Sequence, residues 1–226
     1  MNEELPAFVQ SFNTSIRDAE VFISIARARE LQAEACGAVE SLLRDIASEK
    51  ALAIRAANED YANFLLGCEC AASGVLAEIQ MWLLLKDEKP DEAWNRLIDA
   101  QSSYTAAMRA HPGFRHLGEA RDRLQAIEDL VFPPQVFISS GFIIRVQECS
   151  ICGKEYEDCE HLVGRPYMGR FCYIIARNAM LDHVSIVDRP ADKRCRITSF
   201  GTEGGNRNRM TWRIEPNEQG EVETRT

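Results

Sequence analysis

The sequence predicts an α+β fold: an all-helical bundle or long antiparallel helical hairpin over residues 1–133, then a small β-rich module over residues 134–214. Three observations carry this. Proline is absent between Pro6 and Pro90 while Ala, Leu and Glu dominate, which favours long helices. The apolar period shortens after Pro133-Pro134, from helical steps of three and four to short β-branched runs. Cys149, Cys152, Cys159 and His161 then crowd into thirteen positions, in a chain with no other strong motif.

Along the helical part, Phe8, Phe12, Ile16, Ala19, Phe22 or Ile23 and Ala26 form one apolar stripe. A second runs through Leu52, Ala56, Ala62 or Asn63, Leu66, Leu76, Ile79 and Leu83, with a break or bend expected between Gly37 and Lys50. The alanine content predicts closer helix contacts than a leucine seam, although coiled-coil pairing or dimerisation would also satisfy such stripes. Lys89-Pro90-Asp91-Glu92 starts a further helix, with proline in the first turn and two acids at the positive end of the dipole. It ends at His111-Pro112-Gly113, and a last helix runs from about Phe114 to Val131. Beyond Pro134, Val136–Ile138, Gly141–Val146, Phe171–Ile175, His183–Val187 and Arg194–Phe200 read as strands, with an edge strand at Met210–Ile214. Residues 215–226 read as a disordered acidic tail.

Charge divides unevenly. Residues 1–133 hold 13 Lys and Arg against 22 Asp and Glu, a net charge of −9. Residues 134–214 hold 12 against 9, a net of +3. The acidic helices argue against wrapping nucleic acid, which needs clustered cations, and leave a basic β module as the weaker nucleic-acid alternative. The acidic start, Met1-Asn-Glu-Glu-Leu-Pro, lacks a secretory pattern, and the longest apolar runs, such as Met81–Leu85, fall short of a membrane span. Cys36, Cys68 and Cys70 lie in helical sequence as ordinary reduced thiols, so a cytoplasmic location away from membranes is expected.

The cysteine cluster has a direct physical reading. Cys149 and Cys152 at CxxC spacing form a knuckle whose two sulfurs point at one ion, and Gly153 follows where the chain must turn. Cys159 and His161 close a tetrahedron from a second short turn, giving one structural zinc site, with Cys172 as the alternative to His161. Four protein ligands leave no position for an activated water, and neither HExxH nor HxE with PCxxC is present.

Residues 149–172 (CSICGKEYEDCEHLVGRPYMGRFC) and 183–197 (HVSIVDRPADKRCRI) together resemble segments of phage head-maturation (prohead) protease-like proteins. In that family a zinc-knuckle insert can precede a strand of the form V-S-L-V-D-x-P-A-x-P. The resemblance covers about residues 141–200, roughly a quarter of the chain, and is most specific at Val184–Ala191. It implies phage- or mobile-element-related biology, with Ser185 matching a strand serine that serves as nucleophile with a histidine. The family's base histidine lies upstream in a β-rich body. Here the upstream region reads as helical and its histidines are His111 and His116, beside Pro112-Gly113. His183 shares a face with Ser185 two residues away, but a nucleophile also needs an orienting group and oxyanion donors. The expected function is therefore a zinc-stabilised interaction or adaptor protein that binds a protein partner or itself. A divergent serine peptidase using Ser185 and a nucleic-acid-binding zinc module are the alternatives.

Overall fold

The computed structural model describes residues 7–216 as an α+β fold: five helices followed by a strand-rich region. Helices α1 (Ala7–Glu20), α2 (Arg29–Arg55), α3 (Glu59–Lys86), α4 (Pro90–Ala110) and α5 (Gly118–Val131) form the bundle, with a 3-10 helix at Pro112–Leu117 before α5. The residue 217–226 part of the expected acidic tail lies outside the described residues.

No break falls between Gly37 and Lys50, where a break or bend is expected: α2 runs unbroken through both residues. Gly37 is exposed and costs one helix position about 1 kcal/mol, too little to break a helix held by Ala35, Val39, Leu42 and Ile46 in the core. The chain turns instead at Ala57, which takes a positive φ of 53°. Asn58 then caps α3 by accepting a hydrogen bond from the Tyr61 N–H at 3.2 Å. The first stripe is also not one helix. α1 ends at Glu20, and Phe22 and Ile23 reach the core from the turn that follows. Buried Gln32 holds this turn, donating from Nε2 to the Phe22 carbonyl at 2.8 Å and the Ser24 carbonyl at 2.9 Å.

Helix α3 is the centre of the bundle, packed between α2 and α4. It is long and apolar enough to cross a membrane by length and composition, and half of that window is buried inside the protein. A helix enclosed on several sides needs an apolar surface all round, so its composition follows from its place. Two of its glycines set the approach of the neighbouring chain. A Cβ at Gly67 would lie 2.2 Å from Phe114 Cε2, and one at Gly74 would lie 2.5 Å from Tyr104 Cε1. Both rings therefore rest on the α3 backbone. Tyr104 also donates from its hydroxyl to Glu78 at 3.2 Å, and Arg123 on α5 contacts both Glu78 carboxylate oxygens at 2.8 Å. Burial dominates in raising the Glu78 pKa, with Arg123 and Tyr104 opposing it.

The strands form a long interrupted antiparallel ribbon. β1 (Phe137–Ile143) leads into β2 (Val146–Cys149); after an excursion the chain returns through β5 (Ile174–Arg177) and β6 (Met180–Val187). β1 pairs with β6, and β2 pairs with β5. The excursion carries the two-residue strands β3 (Pro166–Tyr167) and β4 (Arg170–Phe171). After the ribbon, β7 (Ser199–Thr202), β8 (Gly205–Asn208) and β9 (Ile214–Glu215) form a small three-stranded sheet.

The ribbon is fastened at both ends of α4. At its base, Phe132, Phe137 and Met210 join Trp94 in the same apolar core as the helices, so one core takes residues from both sides of Pro133-Pro134. Trp94 Nε1 donates to the Lys193 carbonyl at 3.0 Å. Arg196, 7% exposed, pairs with Asp91 at 2.5 Å and lies 5.7 Å from the Trp94 ring centre. Lys193 pairs with Glu128 at 2.7 Å, Arg194 with Asp99 at 2.8 Å and Arg213 with Glu88 at 3.4 Å. The uneven charge in the sequence is thus partly internal: basic residues of the strand region face acids of the helices. At the far end, Arg109 near the C-terminus of α4 donates to the Gly164 carbonyl at 3.2 Å and lies over Phe171. Asn63 accepts from the Gly169 N–H at 2.9 Å, and Met168 packs against Ala53, Ala62 and Leu65. Between these anchors the ribbon is exposed, with Phe142, Leu181, Val184 and Ile186 open to solvent.

Candidate metal centre

Pairing places Cys149 at the end of β2, opposite Ile174 on β5. The chain then doubles back. The Gly153 N–H donates to the Cys149 carbonyl at 2.9 Å, and the Cys149 N–H donates to the Lys154 carbonyl at 2.9 Å. Gly153 takes a φ of 71°, a conformation that side chains disfavour, and this closes the knuckle. The Ile151 N–H points at Cys149 Sγ from 3.4 Å. Cys159 follows a 3-10 turn at Tyr156–Asp158, and His161 comes two residues later. The tyrosine hydroxyls hold the next stretch: Tyr167 accepts from the Leu162 N–H at 3.0 Å and Tyr156 from the Val163 N–H at 3.3 Å. The Tyr167 ring meets His161 edge-on, with ring centres 4.7 Å apart.

The donor atoms of Cys149, Cys152, Cys159 and His161 all lie within 4.8 Å of one another, close enough to hold one metal ion. Cys149 is fully buried and Cys152 is exposed. Nδ1 of His161 is buried without a hydrogen-bond partner, a costly state that a bound cation would relieve. Cys172 also faces this group: it is buried, and its Sγ lies 3.8 Å from Cys149 Sγ.

The thiols differ in acidity. Burial pushes Cys149 upward, but the backbone N–H groups of Cys152 and Ile151, with the Cys159 and Cys152 side chains, outweigh it and bring the pKa to about 6. Burial raises Cys159, and the neighbouring Cys149 and Cys152 sulfurs add to the rise. Burial foremost, then Cys149, lifts Cys172 to about 11. The backbone N–H groups thus favour the thiolate of Cys149, the form that binds metals. Away from this cluster, burial lifts Cys36 and Cys70 to about 11 and Cys68 to about 12, the behaviour of inert core thiols.

His183 and Ser185 stand on β6, away from the sulfur cluster. His183 Nδ1 lies 3.0 Å from Asp182 Oδ2, and the ring covers Gly141 on β1 so closely that a Cβ there would sit 2.4 Å from Cε1. Ser185 is exposed and faces Ser139 across the ribbon, and among the described residues its hydroxyl has no side-chain hydrogen bond. His111 and His116 lie on the connection between α4 and α5, where His111 Nδ1 accepts from the Gly113 N–H and His116 Nδ1 contacts the Gly113 carbonyl, each at 3.1 Å. They are thus on a different element from Ser185.

The supporting residues were not legible in advance. Arg109, Asn63 and Glu59 reach the excursion from helices more than fifty positions upstream, and helical sequence carries no mark of such a contact. Gly164 and Gly169 were visible as turn signals, and both take positive φ, 78° and 73°. The chain matches no protein-family model, no curated protein and no solved structure. The resemblance to prohead-protease-like proteins therefore stands on residues 149–172 and 183–197 alone.

Proposed function

We propose that this chain is a zinc-stabilised, non-enzymatic interaction protein that presents the exposed face of its ribbon to a protein partner. The carrying observation is the ribbon itself: two strands fixed at both ends of α4, with Phe142, Leu181, Val184 and Ile186 exposed between the anchors. A two-stranded ribbon is marginal on its own, so this one depends on its anchors and leaves its middle free for pairing. Sulfur-rich donors with an imidazole beside them suit zinc, which would be held by Cys149, Cys152 and Cys159 with His161 or Cys172 as the fourth donor and would stiffen the distal end. Four protein donors supply structural rather than Lewis-acid chemistry.

Two observations weigh against the other readings. Arg194 and Arg196, two of the strand region's cations, pair with Asp99 and Asp91 of the helices. Asp182 contacts the ring of His183, but among the described residues the Ser185 hydroxyl makes no hydrogen bond to that histidine. The resemblance in sequence supports a role in phage- or mobile-element-related assembly, in the cytoplasm of the host.

The test is affinity capture from the native host with nuclease treatment, beside a Leu181→Ser, Val184→Ser, Ile186→Ser variant. A stoichiometric protein captured by the native chain and lost by the variant, with zinc content equal in both, supports the proposal. Capture of nucleic acid alone, a partner the variant retains, or a monomer that captures nothing overturns it.

A further inference from the structure

We propose that Cys172 is a metal ligand. The cluster then offers five donors to one zinc ion: Cys149, Cys152, Cys159 and Cys172 form the resting set, and His161 is a reserve ligand for the fourth position. This rests on the zinc reading above and deepens it.

The sulfur spacing comes first. Zinc–sulfur bonds of about 2.3 Å at tetrahedral angles place two thiolates on one ion about 3.8 Å apart. Cys149 Sγ and Cys172 Sγ are 3.8 Å apart. The donor atoms of Cys149, Cys152, Cys159 and His161 lie within 4.8 Å of one another, so His161 is near enough to stand as the fifth donor.

The backbone gives the second argument. Cys172 is held on both sides: its N–H donates to the Arg165 carbonyl at 2.9 Å, and its carbonyl accepts from the Gly164 N–H at 2.8 Å. The next residue, Tyr173, is locked to Ser150, donating to Ser150 Oγ at 2.9 Å and accepting from the Ser150 N–H at 3.0 Å. These bonds fasten the Cys172 segment to the knuckle. The thiol itself is 1% exposed and faces Cys149, the residue whose sulfur is bare of solvent in the same cluster. His161 sits on the loop beyond Cys159, and its buried Nδ1 lacks a partner. That atom gains a partner when it takes the fourth position, so His161 stands ready to replace Cys172. An ion with five donors stays four-coordinate when it loses either His161 or Cys172. The three remaining cysteines have no such substitute.

The experiment uses the full chain, loaded with zinc for metal analysis and X-ray absorption and with cobalt(II) for the ligand-field spectrum. It compares the native protein with His161→Ala, Cys172→Ser, Cys172→Ala and the His161→Ala, Cys172→Ser double variant. Native protein is expected to bind one zinc through four sulfurs, and His161→Ala to leave that sulfur count unchanged. Each Cys172 variant should keep one zinc but shift to three sulfurs and one nitrogen; the double variant should lose it. A native site of three sulfurs and one nitrogen, unchanged in the Cys172 variants, overturns the inference and leaves the zinc reading intact. Native protein that binds no zinc overturns the zinc reading itself. The native spectrum decides the sulfur count even if a Cys172 variant fails to fold.

Discussion

Replacing Arg123 with methionine tests how the bundle tolerates a carboxylate in its core. The Glu78 side chain has 0% exposure, whereas Arg123 is 52% exposed. The guanidinium supplies both 2.8 Å contacts, and without it Glu78 keeps one hydrogen bond, from Tyr104 at 3.2 Å. Breaking a fully buried pair costs about 3–5 kcal/mol; the half-exposed arginine is partly screened, so about 2–3 kcal/mol is expected at pH 7. The sign with pH follows from the raised pKa of Glu78. The folded protein holds this proton above the unfolded value of about 4.3, so any stability from the neutral acid is complete below that pH and is lost as pH rises through the folded pKa. The variant's deficit should therefore be smallest below about pH 4 and grow toward neutrality. Urea unfolding followed by far-UV circular dichroism at pH 4 and pH 7 measures both points. Glu78→Gln in the Arg123→Met background removes the unpaired charge and should recover most of the loss. The reasoning fails if Arg123→Met lies within about 0.5 kcal/mol of native at pH 7, within the range of a neutral surface change. It also fails if the double variant is no more stable than Arg123→Met.

Other expectations follow from packing, capping and metal binding. Gly74→Ala should lose about 1–2 kcal/mol despite a better helix propensity, because overpacking against Tyr104 outweighs it. Gly37→Ala, where a Cβ meets nothing within 4 Å, should instead gain about 0.5–1 kcal/mol; paired thermal melts read the opposite signs. Trp94→Phe removes the indole donor from the Lys193 carbonyl and should cost about 1–3 kcal/mol, visible as a lower urea midpoint with an unchanged slope. Cys152→Ser, or removal of zinc by a chelator, should raise hydrogen exchange across residues 149–172 while the helical signal persists. A metal-free protein with unchanged exchange there would contradict the metal's structural role.

The helical half was legible because its signals are local. Pro90 with Asp91 and Glu92 marks a helix start, and the structure begins α4 at Pro90. The turn at Ala57 was not legible: its residues lack the glycine or proline that usually announces a chain reversal, and only Asn58 hints at a cap. The break after Glu20 leaves no mark in the pattern, because Phe22 and Ile23 continue the apolar spacing even though they reach the core from a turn. The cysteine group was readable from spacing alone, since CxxC and CxH each fix two donors within a few residues. What Cys172 contributes depends on the β2–β5 pairing, a contact between distant segments that spacing does not encode. Charge distribution showed two unlike halves but not that Lys193, Arg194 and Arg196 turn toward the acidic one.

The base of the ribbon also orders events during synthesis. Trp94 receives its carbonyl partner 99 residues later, and Asp91 meets Arg196 after 105. The helices are complete by Val131, while Met210 joins the same core from much later in the chain. A ribosome adding about 5–20 residues per second leaves the apolar end of α4 unshielded for several seconds, and closure over so long a separation is slow. This surface is where a nascent chain would meet a chaperone or another nascent copy. Truncation before residue 196 would make that exposure permanent, without removing a single helix.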